Sequence, residues 1–236
     1  MPQIQPEPTT VSIDTAGVQL TGELAMTPEM KKLVVFVHGS GSSRLSPRNR
    51  YVASALNAAG LGTLLFDLLT PEEEHTDRIT RHLRFDIGLL STRVMGVVQW
   101  LLARPWEMTD APIGLFGAST GAAAALVTAA RLPDVISAVV SRGGRPDLAG
   151  DALAEVQAPT LLTVGSEDPQ VLALNRAALT RMPCPRMLHI VQGATHLFEE
   201  PGTLDEVIEV TTRWLQEWLR HPHAWQVGAA PSARCP

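Results

Sequence analysis

Pro112-Ile113-Gly114-Leu115-Phe116 leads into Gly117-Ala118-Ser119-Thr120-Gly121 and then, without a break, into an alanine-rich run from Ala122 to Arg131. The first five residues read as a short strand buried on both faces. The last ten have helical composition, and the five between leave room only for a sharp turn. A serine in such a strand-to-helix turn sits on a strained bend, with its hydroxyl above the end of the sheet. The two flanking glycines are needed because a side chain at either place would run into the neighbouring strand or helix.

Outward from this point the chain keeps one rhythm. Upstream, Leu33 to Val37 and Leu61 to Phe66 are apolar strands. Between them a helix opens on Ser46-Pro47, a good cap followed by a good first residue, and Gly60 stops it. The stretch with Glu72, Glu73 and Glu74 reads as a polar loop. Ile87 to Ala103 reads as a helix, with Pro105 just beyond its end. Downstream, Val135 to Val140, Pro159 to Val164 and Met187 to Val191 are further strands. Helices are expected near 151–156, 171–181 and 204–220. Val11 to Leu24, turning at Ala16-Gly17, reads as an edge hairpin. Strand and helix in alternation imply an α/β fold with a mainly parallel central sheet and helices on both faces. The segment between the fourth and fifth core strands is too short for a large lid domain. We expect one α/β domain over residues 11–220, a flexible N-terminus over 1–10 and a flexible C-terminal tail over 221–236.

In such a sheet ligands bind at the carboxyl ends of the strands. A serine there needs a base to take its proton and an acid to orient the base. The chain order on this architecture is serine, then acid, then histidine. After Ser119, one strand ends in Val164-Gly165-Ser166-Glu167-Asp168 and the next in Gln192-Gly193-Ala194-Thr195-His196. His196 is therefore the candidate base, and Asp168 or Glu167 the candidate acid. Asp147 and Asp151 are weaker options, and His189 reads as packed against the core. An acyl-transfer site also needs two backbone N–H groups for the oxyanion. Thr120 would give one. Ser40, or alternatively Gly41, would give the other from the small-residue loop His38-Gly39-Ser40-Gly41-Ser42. His38 is expected to brace that loop by hydrogen bonding and to move no proton.

The segments Val37-His38-Gly39-Ser40-Gly41, Gly117-Ala118-Ser119-Thr120-Gly121, Gly165-Ser166-Glu167-Asp168 and Gly193-Ala194-Thr195-His196 resemble those of the dienelactone hydrolase-like branch of the α/β-hydrolases. The similarity runs from about Leu33 to Leu219. It implies an α/β-hydrolase fold, selects Asp168 over Glu167, and implies an esterase or lactonase with neither metal nor organic cofactor. The chain departs from dienelactone hydrolases proper at one position, where they carry a cysteine and this sequence has Ser119. A general carboxylic ester hydrolase acting on a small ester or lactone is therefore expected. A thioesterase, acyltransferase or perhydrolase would use the same three residues, and a non-catalytic binding protein could share the fold. Some members of the branch are joined to a phosphoribosyltransferase domain, for which these 236 residues offer no segment.

Composition narrows the partners. A net charge of −5 argues against nucleic acid or an anionic membrane. No apolar run reaches the roughly 20 residues of a membrane span. The start of the chain does not look like a secretory signal, so a cytoplasmic protein is expected. Two cysteines, Cys184 and Cys235, make neither a disulfide framework nor a cysteine metal site. Against this acidic background, Arg44, Arg48 and Arg50 follow the oxyanion loop, and Arg142 and Arg145 follow the fourth core strand. Arg44, Arg48 and Arg142 are candidates to bind an anionic group on the substrate. Pairing of the cluster with Glu72, Glu73 and Glu74 is the plainer expectation.

Overall fold

The computed structural model describes residues 6–104 and 111–220. Pro105 and the stretch expected as a C-terminal tail lie outside them. Among the described residues, eight strands form one open sheet in the order β1-β2-β4-β3-β5-β6-β7-β8. β1 (Thr9–Thr15) and β2 (Val18–Ala25) form the edge hairpin. Ala16 and Gly17 both take positive φ, 47° and 78°, which matches the right-handed twist of the two strands. Thr9 and Thr10 pair with Leu24 and Glu23, so the strand begins inside the stretch expected to be flexible.

β3 (Leu33–Val37), β4 (Gly62–Phe66), β5 (Ile113–Ala118), β6 (Ile136–Arg142), β7 (Thr160–Gly165) and β8 (Arg186–Val191) are parallel to one another. The chain passes from β3 to β4 on one side, then returns across β3 to build β5 to β8 on the other. The sheet order therefore switches at β3 and β5, and a crevice opens at their carboxyl ends.

Side chains alternate between two cores. Val35, Val37 and Leu115 face α3 (Ile87–Leu102), α4 (Thr120–Arg131) and α5 (Pro169–Leu179). Val34, Phe36 and Phe116 face α1 (Pro47–Ala58) and α6 (Thr203–Trp218). Burial on both faces is why these strands read as continuous apolar runs.

The segment expected as a polar loop is instead helix α2 (Pro71–Thr80), followed by a short 3-10 turn at Leu83–Phe85. Thr70 and Glu73 satisfy each other's backbone N–H in a capping box, and Pro71 starts the helix. Glu72, Glu73 and Glu74 sit in its first turn, where the helix dipole favours negative charge. Among the described residues, no helix is long and apolar enough to cross a membrane.

Candidate active site

Ser119 stands between β5 and α4 with φ 50° and ψ −121°, a region that a side-chain-bearing residue rarely occupies. The bend is held on both sides. Its N–H donates to the Arg142 carbonyl at 3.2 Å, and its own carbonyl accepts from the N–H groups of Ala122 and Arg145 at 3.1 and 3.0 Å. The flanking glycines are steric necessities. A Cβ at 117 would come within 2.4 Å of the Ala122 Cα, and one at 121 within 2.2 Å of the Val37 carbonyl oxygen. Both obstacles are backbone atoms and cannot rotate away.

Asp168 follows β7 and caps α5, its Oδ1 accepting from the Val171 N–H at 3.4 Å. Its Oδ2 accepts from Nδ1 of His196 at 2.7 Å. His196 belongs to the loop after β8 and lies over the exit of β6. A Cβ on Gly143 would stand 3.1 Å from the His196 carbonyl oxygen and 3.6 Å from ring atom Cε1. Ser119, Asp168 and His196 thus follow the carboxyl ends of β5, β7 and β8 at one sheet edge, with the Asp168–His196 pair in contact. The competing acids are elsewhere. Glu167 is exposed and accepts from Ser166 Oγ, Asp147 pairs with Arg145, and Asp151 pairs with Arg181. His189, expected in the core, is half-exposed and bonded to Glu206 at 2.7 Å, because the edge strand β8 is only partly covered.

The loop after β3 runs directly beside the serine, and a Cβ at Gly39 would stand 3.0 Å from the Ser119 Cβ. His38 is buried beneath it. Its Nδ1 donates to the Gly39 carbonyl at 2.9 Å, and its Nε2 accepts from the Leu68 N–H at 3.1 Å. Burial pushes its pKa down, which favours the neutral ring that this bonding pattern requires. The Ser40 N–H donates to Thr120 Oγ1 at 2.9 Å, so the two predicted backbone donors are tied together by a side chain. Sequence reasoning assigned Thr120 only its N–H, and nothing in the sequence signals the role of its hydroxyl. Beside this loop lies a cavity of about 290 Å³, walled on its far side by Asp77, Arg81 and Arg84 from α2 and the following turn. The capping-box signal at Thr70 and Glu73 could have revealed this wall.

The arginines separate into two kinds. Arg44 is bound to Asp67 through its N–H and its guanidinium, Arg50 pairs with Glu23, and Arg48 pairs with Glu199 at 2.8 Å. None of these partners is Glu72, Glu73 or Glu74. Glu73 instead meets the buried Arg93, and Glu74 meets Arg78 in its own helix. Arg142 has no ion pair among the described residues, and its Nη1 is buried without a hydrogen-bond partner. Among the described residues, no group of three or more His, Cys, Asp or Glu is placed to hold a metal ion.

A model of the dienelactone hydrolase family matches residues 22–220. Two proteins from different strains of Mycobacterium tuberculosis, provisionally named phosphoribosyl transferases, are 52% identical over 212 residues. That match takes in 90% of this chain but only 47% of theirs, so the chain spans about half the length of these relatives. Among solved structures, a dienelactone hydrolase of Anabaena variabilis is 52% identical with a TM-score of 0.89, covering 92% of this chain and 100% of that one. An esterase of Pyrococcus furiosus shares the fold with a TM-score of 0.72 at 18% identity, over 91% of this chain and 92% of its own.

Proposed function

Since the chain belongs to the dienelactone hydrolase family, we propose that it is a serine hydrolase cleaving small carboxylic esters or lactones through an acyl-enzyme. One observation carries this reading: a serine held at φ 50° on the switch-point turn, at the same sheet edge as a histidine oriented by an aspartate at 2.7 Å. Ser119 Oγ attacks the ester carbonyl carbon while His196 takes the hydroxyl proton. Asp168 holds the imidazole tautomer and stabilises the imidazolium. The N–H groups of Thr120 and Ser40 receive the oxyanion. As the tetrahedral species collapses, the carbon–oxygen bond to the alcohol breaks and His196 gives its proton to the departing oxygen. Water then cleaves the acyl-enzyme by the same route. The transferase name belongs to the mycobacterial relatives as whole proteins, of which this chain spans about half. The family match over residues 22–220 takes in the elements that carry Ser119, Asp168 and His196, and about half of each relative lies outside its match to this chain.

A cavity of about 290 Å³ beside the oxyanion loop suits a short acyl or alcohol group. With p-nitrophenyl esters we expect a burst of p-nitrophenol and a kcat/KM that is higher for acetate and butyrate than for palmitate. Failure to cleave any ester overturns the reading, and a steady rise toward palmitate overturns the size assignment.

The bond from Ser40 N–H to Thr120 Oγ1 gives a finer expectation. In the resting site the hydroxyl holds this donor in place before substrate arrives. Thr120→Val keeps the shape and removes the acceptor, so kcat should fall about 2- to 12-fold, the worth of one neutral hydrogen bond. Thr120→Ser should recover most of it. A Thr120→Val enzyme as fast as the wild type would mean that the hydroxyl competes with the oxyanion instead of preparing its site.

A further inference from the structure

Arg142 is the last residue of β6, and its guanidinium lies on the α1 face of the sheet, 5.8 Å from the ring centroid of Phe116. The residue is only 8% exposed. Charged groups taken out of water are ordinarily paired or fully hydrogen-bonded. Here neither holds: no carboxylate meets it among the described residues, and Nη1 is an orphan donor. The charge that acts on it is another cation, Arg48 in the first turn of α1. Burial first, and Arg48 second, push the guanidinium down to about 10.

The surroundings repeat the same imbalance. Arg48 itself has a buried, unpartnered Nε, and its place at a helix N-terminus adds positive potential. The carboxylate that meets this pair of arginines among the described residues is Glu199. It touches only Arg48, and the pair is loose at its surface end, 35% exposed on the arginine and 62% on the glutamate. Exposed pairs of this kind contribute little, so Glu199 is a displaceable counterion. The place is beside the chemistry. The Arg142 carbonyl holds the Ser119 N–H, and the next residue, Gly143, lies against His196.

We propose that Arg142, with Arg48, forms a subsite for an anionic oxygen group, carboxylate or phosphate, carried by the substrate, which takes the place of Glu199. Arg142 supplies the buried, planar donor fork and Arg48 the more exposed outer one. The preferred substrate is then a monoester of a dicarboxylic acid or an ester bearing phosphate. This identity rests on the hydrolase reading, whereas anion binding at the subsite does not.

Two measurements separate them. The first is the ratio of kcat/KM for p-nitrophenyl hemiglutarate to that for p-nitrophenyl valerate, of similar length but neutral. Arg142→Met should lower the ratio about 10- to 100-fold, the range for hydrogen bonds to a charged group. Glu199→Gln, which removes the competing carboxylate, should raise it. The second is thermal melting with and without inorganic phosphate, which needs no activity. Phosphate should stabilise the wild type, stabilise Glu199→Gln more, and leave Arg142→Met unmoved. Without phosphate, Arg142→Met should melt no lower than the wild type, because an uncompensated buried charge is gone. If the ratio and the phosphate shift survive in Arg142→Met, or if Glu199→Gln gains neither, the subsite is refuted. A lower melting temperature in Arg142→Met with an unchanged ratio would make the guanidinium a packing element only. An enzyme that binds phosphate through Arg142 and cleaves no ester would retain the subsite and remove the hydrolase reading.

Discussion

Ser119→Ala is expected to lower kcat by four orders of magnitude or more, on the order of 10⁴ to 10⁶. The change removes one oxygen, and with it the atom proposed to form the acyl bond. Nothing else in the arrangement can stand in for it. His196 would have to activate water toward a carbonyl placed for attack by Oγ, and the backbone donors of Thr120 and Ser40 would still hold the oxyanion. A small residual rate above the uncatalysed reaction is therefore expected. The fold should be intact. Alanine at φ 50° meets the same steric cost as serine, and the bonds that fix the bend run through the backbone to Arg142, Ala122 and Arg145. The melting temperature should move little. In the wild type, a fluorophosphonate probe followed by peptide mapping should mark Ser119. Covalent label on another serine, or an alanine variant retaining a hundredth of the rate, would remove Ser119 from the mechanism.

The fold was legible where both faces of an element are buried and its pattern has a single cause. Val34 to Val37 and Ile113 to Phe116 are apolar because each alternate side chain enters one of two cores. The turn around Ser119 was legible because its glycines answer to contacts within a few residues and with one adjacent strand. Residues 71–85 misled because charge was read before capping. Three glutamates look like a loop, yet behind Thr70-Pro71 they are a favourable first helical turn. The arginines were beyond a linear reading for another reason. Their partners, Glu23, Asp67 and Glu199, come from the hairpin, the end of β4 and the loop after β8, brought together only by the sheet order. The expected partners, Glu73 and Glu74, are held by Arg93 and Arg78. The hydroxyl of Thr120 was hidden in the same way, since its bond to Ser40 spans 80 residues.

The second large effect concerns the acid. Asp168→Asn is expected to lower kcat on the order of 10⁴-fold at neutral pH, the cost known for the same exchange in a serine protease triad. Oδ2 of Asp168 accepts the Nδ1 proton of His196 at 2.7 Å, which leaves Nε2 as the lone pair available to take the serine proton. An asparagine amide can turn its NH₂ toward Nδ1. The ring then carries its proton on Nε2, the wrong nitrogen for a base, and the imidazolium formed during attack loses its counter-charge. Stability is expected to change little, because asparagine caps a helix about as well as aspartate and Oδ1 can still accept from Val171. A loss of kcat in a variant that melts normally therefore reports chemistry. Glu167→Gln is the matched control. Its carboxylate is one residue away but exposed, engaged by Ser166 Oγ, and should tolerate the change with little loss. Both variants should be followed on one short-chain ester with melting temperatures alongside. If Glu167→Gln suffered the larger loss, the acid would be Glu167, and the 2.7 Å contact between Asp168 and His196 would not be the arrangement at work during turnover.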